Sequence, residues 1–295
     1  MHTSIEAAGI AGTGPAIPTV LAARASAGWQ RFAEPALRTT AATWLGIAVS
    51  GQLLFAAYVA GFYGRVTLQG RPDLWNEVMP HGFVAGDTAF NTVVGLHLSF
   101  AVAIILAGAM QLLPQVRRKA PQVHRWIGRA YVVAAGVMSL GGLSMVWIRG
   151  SVGDLSQHIA ISVNALLILG FAGMAWRHAR ARRVDAHRRW ALRLFLAVSG
   201  VWFFRIGLML WIVVNQGPAG FDPKTFSGPF LTFLAFAQYL VPLAVLQGYM
   251  QARAGRNPGA HMAMAAGLAV AVVLTLAGIG AAVAFMWLPQ VLGVA

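Results

Sequence analysis

The chain has no cysteine among its 295 residues. That excludes disulfides, cysteine-ligated iron–sulfur clusters and covalent c-type haem attachment, and it leaves histidine as the natural ligand for a transition metal. Charge is scarce too: 10% of residues are Asp, Glu, Lys or Arg, and only 8 of them are acidic. The sequence offers no paired catalytic carboxylates, no Ser/His/Asp constellation and no nucleotide-binding glycine loop, so hydrolase and kinase chemistry has no support.

What the chain has instead is apolar side chain, at 58% of residues. A soluble domain of this length could not hide that much, so the sequence reads as an all-α integral membrane protein. Spans of about 20 residues fall at 41–63, 91–113, 125–148, 156–176, 189–214, 228–250 and 260–288, which makes seven transmembrane helices. Of the 22 Lys and Arg residues, 17 then lie on the face that carries the N-terminus. The positive-inside rule orients that face to the cytoplasm of a bacterial-type inner (plasma) membrane, with the C-terminus outside. The net charge of +14 therefore reads as topology and as attraction for anionic lipid, with the bilayer as partner and no nucleic acid.

The spans divide the chain. Residues 1–40 hold no span and read as a cytoplasmic segment, flexible at first and then briefly amphipathic. They lack a basic stretch directly before an apolar core, so the first span, 41–63, is expected to double as the insertion signal. Residues 91–214 form a four-helix core, and 228–288 supply two accessory spans whose Gly267, Gly278 and Gly280 suit close helix packing. The outer loop 64–90, with Trp75 and His81, is placed to cap the bundle.

Four histidines stand near the starts of spans two to five: His97, His124, His158 and His187. Successive spans run in opposite directions, so His97 and His158 enter from one face, His124 and His187 from the other. The second member of each hairpin opens a similar string, His124-Arg125-Trp126 with Arg129 and His187-Arg188-Arg189-Trp190 with Arg193. This is a parallel repeat of two helical hairpins, expected to close as a pseudo-symmetric four-helix bundle with equivalent histidines facing across its axis. Each pair could then hold one metal, bis-histidine haem iron being the sharpest form of that reading. Arg129, Arg193 and the deeper Arg205 are candidates for a cofactor's carboxylates. The bland alternatives are that each imidazole bonds a neighbouring helix and that Arg205 snorkels to the surface. His2, His81, His178 and His261 do not fit the repeat.

The two His-Arg-Trp strings, with Arg205 downstream, resemble a bacterial family of predicted multi-pass membrane proteins, catalogued as a domain of unknown function. The resemblance covers roughly residues 91–210 and implies a topology without an activity. The arrangement of His97, His124, His158 and His187 is also similar to that of transmembrane di-haem cytochromes b of the ascorbate-reducible type, whose ligands come from four consecutive helices paired first with third and second with fourth. That likeness implies two haems b per chain and a membrane oxidoreductase that passes single electrons, with a quinol or small reductant as partner. The chain departs from it in the shallow placement of His124 and His187 and in its extra spans. Two other readings stand beside it. One is a haem-free accessory or assembly subunit of a larger membrane complex, with the His-Arg-Trp strings as interfacial anchors. The other is a transporter in which His97, His158 and Arg205 line a path for protons or small anions, although carboxylates are absent from the spans.

Overall fold

The computed structural model describes residues 17–79, 81–148, 150 and 153–293, with side chains from residue 31 onward. The flexible start expected for the first residues, and His2 with it, lie outside the described residues. Every element longer than a single bridge, Asp222 to Ser227, is a helix. Six helices are long and apolar enough to cross a membrane, and a bent pair makes a seventh crossing if counted as one. The chain is thus an all-α multi-pass membrane protein.

Helix α1, Ile17–Val59, is a single run of 43 residues through Pro35. Proline removes one backbone donor without ending this helix, so the helix itself runs on through residue 40. The helix continues through a π turn, Ala60–Gly64, into α2, Arg65–Leu68. A π turn adds one residue to the turn, which lets Tyr58 and Tyr63, five apart, meet edge to face at 6.3 Å. A 3₁₀ turn, Pro72–Glu77, then buries Trp75 beneath the loop. The loop is therefore anchored against the end of α1 through Trp75 and Tyr63.

Helix α3, Thr88–Leu112, starts where the Asp87 carboxylate accepts from the Phe90 N–H. A short α4, Pro114–Lys119, carries Arg117, Arg118 and Lys119 along the basic face. Then come α5, Pro121–Trp147, and α6, Leu155–Arg180, the latter capped by Asp154. Proline opens α4, α5, α9 and α10, at the first-turn positions where a missing N–H costs nothing. The expected fifth span is two helices, α7, Val184–Val198, and α8, Gly200–Asn215, bent by 49°. Ser199 and Gly200 occupy the break, a pair typical of kinks. Helices α9, Pro229–Ala254, and α10, Pro258–Ala282, complete the crossings, and a second π turn, Val283–Trp287, leads into α11, Leu288–Leu292.

Packing follows small residues. Helix α1 lies along α10 more extensively than any other pair. A Cβ at Gly51 would meet the side chains of Ile279 and Trp202, and one at Gly278 would sit 2.9 Å from the Ile206 carbonyl oxygen, where backbone approaches backbone. Between α3, α5, α6 and α7 the order of contact is sequential, α3 with α5, α5 with α6 and α6 with α7. A core of Ile104, Tyr131, Ala135, Ala172 and Leu194 draws on all four.

Candidate functional site

Polar side chains inside a bilayer need partners, and here most of them tie one helix to another. The Gln52 amide donates to Ser199 Oγ at 3.0 Å, and that hydroxyl donates to the Phe195 carbonyl. Trp44 Nε1 donates to Thr275, Trp147 Nε1 to Ser162, and the Asn164 amide to the Ala197 carbonyl beside the bend. The Gln157 amide, almost fully buried, reaches the Phe226 carbonyl at 2.7 Å. Gly153 makes room for it: a Cβ there would stand 2.2 Å from Gln157 Nε2.

The four histidines join this framework. His97 has its ring against Gly141 and Gly142 of α5. His158 meets the edge of Trp147, six residues further along the same helix. Six residues amount to about 9 Å of rise and 240° of rotation, so these two rings rest on different turns and sides of α5. His124 and His187 are close enough for one charge to be felt at the other. His187 Nδ1 lies 2.9 Å from the Ala175 carbonyl oxygen, linking α7 to α6. His261 Nε2 meets the Ala252 carbonyl in the same way, linking α10 to α9.

These placements overturn the expectation of transmembrane electron transfer through two bis-histidine b-type haems. Among the described residues no group of three or more His, Cys, Asp or Glu side chains could hold a metal ion. Nor do the glycines of the core helices leave room for a porphyrin among those helices. Gly108 is filled by the rings of Tyr131 and Phe195, Gly141 and Gly142 by His97 itself, and Gly136, Gly170 and Gly173 open outward with nothing within 4 Å. The residues present do not fit the group. Two haems b per chain, metal binding and a cytochrome b-type oxidoreductase are therefore corrected, and the quinol or reductant partner loses its basis with them. A shallow notch of about 530 Å³ between α9 and α10, lined by Gly248, Gln251, Ala252, Gly255, Ala260, Ala263 and Met264, involves none of the four histidines.

The arginines take three different places. Arg129 stacks over Trp126, and Arg193 over Trp190, each 4.9 Å from ring centre to guanidinium carbon. Arg193 also donates to Gln247 of α9 at 2.8 Å. Arg205 lies over Phe55 of α1, 5.5 Å from the ring centre, and its charge reaches the hydroxyls of Tyr58 and Tyr63. It has no carboxylate partner among the described residues, and its buried Nε is unsatisfied. A charge at this depth costs about 2.5–3.5 kcal/mol, whereas one aromatic face returns about 0.5–2 kcal/mol. The charge is thus left partly uncompensated.

The surroundings of Arg205 escaped the sequence reading. Phe55, Tyr58, Tyr63, Trp75, Trp202 and Trp287 form one buried cluster drawn from four distant segments. Arg205 itself was the signal that a partner should be sought, but no spacing in the sequence connects residues 55 and 287.

Fold and framework together define a multi-pass helical membrane protein whose interior polar groups serve mainly to bind its helices. More specifically, the chain belongs to the family described as Predicted membrane protein (DUF2306), which matches residues 94–241, from α3 into α9. No curated protein and no solved structure matches the chain.

Proposed function

We propose that this protein is a haem-free accessory or assembly subunit of a larger membrane complex. The observation that carries this reading is a division among its helix glycines. Gly51, Gly108, Gly200, Gly207 and Gly278 have side chains or backbone of the same chain pressed against them, at 3.4 Å or less from a Cβ built there. Gly136, Gly170, Gly173, Gly267 and Gly280 have nothing within 4 Å. Small residues in membrane helices let a second backbone come close, and these five give no such return within this chain.

Helix α6 carries the clearest instance. Ile159, Val163, Leu166, Gly170, Gly173 and Arg177 follow a helical period and all face outward. The occupant proposed is a helix of another subunit lying along this stripe, with Arg177 at its basic end. In this reading the protein crosses the membrane seven times, the bent α7–α8 pair counting once. Helices α3, α5, α6 and α7–α8 form its pseudo-symmetric four-helix core, and the His-Arg-Trp strings anchor that core at the cytoplasmic surface of a bacterial inner membrane. The concentration of arginine on that face supports the orientation.

A photo-crosslinking amino acid placed at Gly170 or Gly173 tests this in cells at native expression. The expected result is one discrete heterologous adduct from each position, and none from Phe233, an equally lipid-facing site on α9. Adducts from all three positions alike, or from none, would count against the assembly role.

A further inference from the structure

Arg205 stands ten residues before Asn215, the last residue of α8, so its Cα lies about 15 Å along the axis from that end. That is about half the thickness of a bilayer's hydrocarbon core. In the aromatic cluster it joins through Phe55, the unanswered groups share one polarity. Arg205 Nε and the Nε1 of Trp75, Trp202 and Trp287 are buried N–H donors without an acceptor, and the three indoles are more than nine-tenths buried. Trp287 packs on Phe55 at 5.4 Å, the ring that also carries the Arg205 guanidinium. Trp75 meets Tyr63 at 6.3 Å.

Among the described residues no carboxylate answers these donors. Asp73 is paired with Arg71, Asp87 accepts from the Phe90 N–H, Asp154 bonds Ser156 and the Gln157 N–H, Asp222 accepts from the Lys224 N–H, and Glu77 is exposed. We propose that Arg205, with the indole N–H groups of Trp75 and Trp287, forms a binding site for the carboxylate of an amphiphile. One guanidinium suits a monoanion and can hold a carboxylate with two parallel hydrogen bonds. The neighbouring rings of Phe55, Tyr58 and Phe62 suit an apolar tail. A fatty-acid-like molecule entering from the lipid has both parts. The site is independent of the assembly role and stands or falls separately.

The test uses the full chain in phosphatidylcholine nanodiscs with palmitate labelled with ¹³C at its carboxyl group. A protein-bound carboxyl resonance, saturating at one per chain, is expected, with affinity at least tenfold weaker in Arg205→Gln and partly restored in Arg205→Lys. Trp75→Phe and Trp287→Phe keep the rings, remove the donors, and should each weaken binding about threefold or more; they carry the test if Arg205→Gln does not fold. Displacement by acetate would keep the carboxylate site and identify a soluble source, whereas displacement by oleate alone identifies a lipid source. The proposal is overturned by the absence of a saturable resonance, by unchanged affinity in folded variants, or by palmitamide competing as well as palmitate.

Discussion

The amide of Gln52, near the C-terminal end of α1, donates to the hydroxyl of Ser199 across 3.0 Å, at the break between α7 and α8. Both residues are buried. Nearby, the Asn164 amide donates to the Ala197 carbonyl, two residues before the break. Replacing Gln52 with Leu should therefore loosen the bend, at a cost of about 1 kcal/mol, near the usual value for a hydrogen bond between membrane helices. Because the chain has no cysteine, a spin-label pair on α7 and α8 can be introduced without background. Its distance distribution should broaden in Gln52→Leu, and an unchanged distribution would show that the tie does not hold the angle.

That break also marks where sequence reasoning stops. The run from 189 to 214 is mostly apolar and reads as one span, because hydropathy registers membrane depth and not direction. The six long apolar helices, and the bent pair that can count as a seventh crossing, were legible for the same reason: a bilayer imposes length and apolarity on each helix separately. The four-histidine repeat was legible as a repeat, but its consequence was not. An interval in sequence leaves free the rotation of each helix about its own axis, and that rotation sets His97 on Gly141 and His158 on Trp147. The Arg205 cluster depends on a π turn, a cap and a C-terminal turn meeting, which no local pattern encodes.

Gly278 and Gly280 are two residues apart on α10 and face opposite ways. A Cβ at Gly278 would meet the Ile206 backbone at 2.9 Å, while Gly280 faces open space. In the purified chain Gly278→Val should lower stability by about 2–3 kcal/mol, as overpacking does. Gly280→Val should change it by less than about 0.5 kcal/mol. Thermal unfolding in detergent separates the two, and equal effects would contradict the α8–α10 contact.

The twin arginines should part company on mutation. Arg129 and Arg193 stack on their tryptophans alike, but only Arg193 also reaches across to Gln247. Arg193→Ala is expected to cost about 1 kcal/mol more than Arg129→Ala, within the range for a hydrogen bond from a charged donor. A double-mutant cycle with Gln247→Ala should recover that difference as coupling between the two residues. Zero coupling would assign Arg193 to the membrane surface alone.

Acid should act at the start of α6. The Ser156 hydroxyl and the Gln157 N–H hold the Asp154 carboxyl below its usual value, and Ser156 in turn meets Thr232 of α9 at 2.7 Å. A carboxylate depressed in the folded state adds stability above its unfolded pKa of about 3.9, and that stability is lost as pH falls through the folded value. Wild type should therefore exceed Asp154→Asn in melting temperature at pH 7, with the gap closing toward pH 3. A gap constant with pH would remove the cap from the account.

The assembly role itself is tested most directly by the composition and mass of the particle that holds this chain when it is drawn from its own membrane, at native expression, into copolymer nanodiscs. A defined particle is expected, well above the 31.3 kDa chain, with a second polypeptide in fixed ratio that is lost on Gly170→Leu/Gly173→Leu while the chain stays folded. A lone 31.3 kDa chain in wild type, or a particle indifferent to those substitutions, would contradict it.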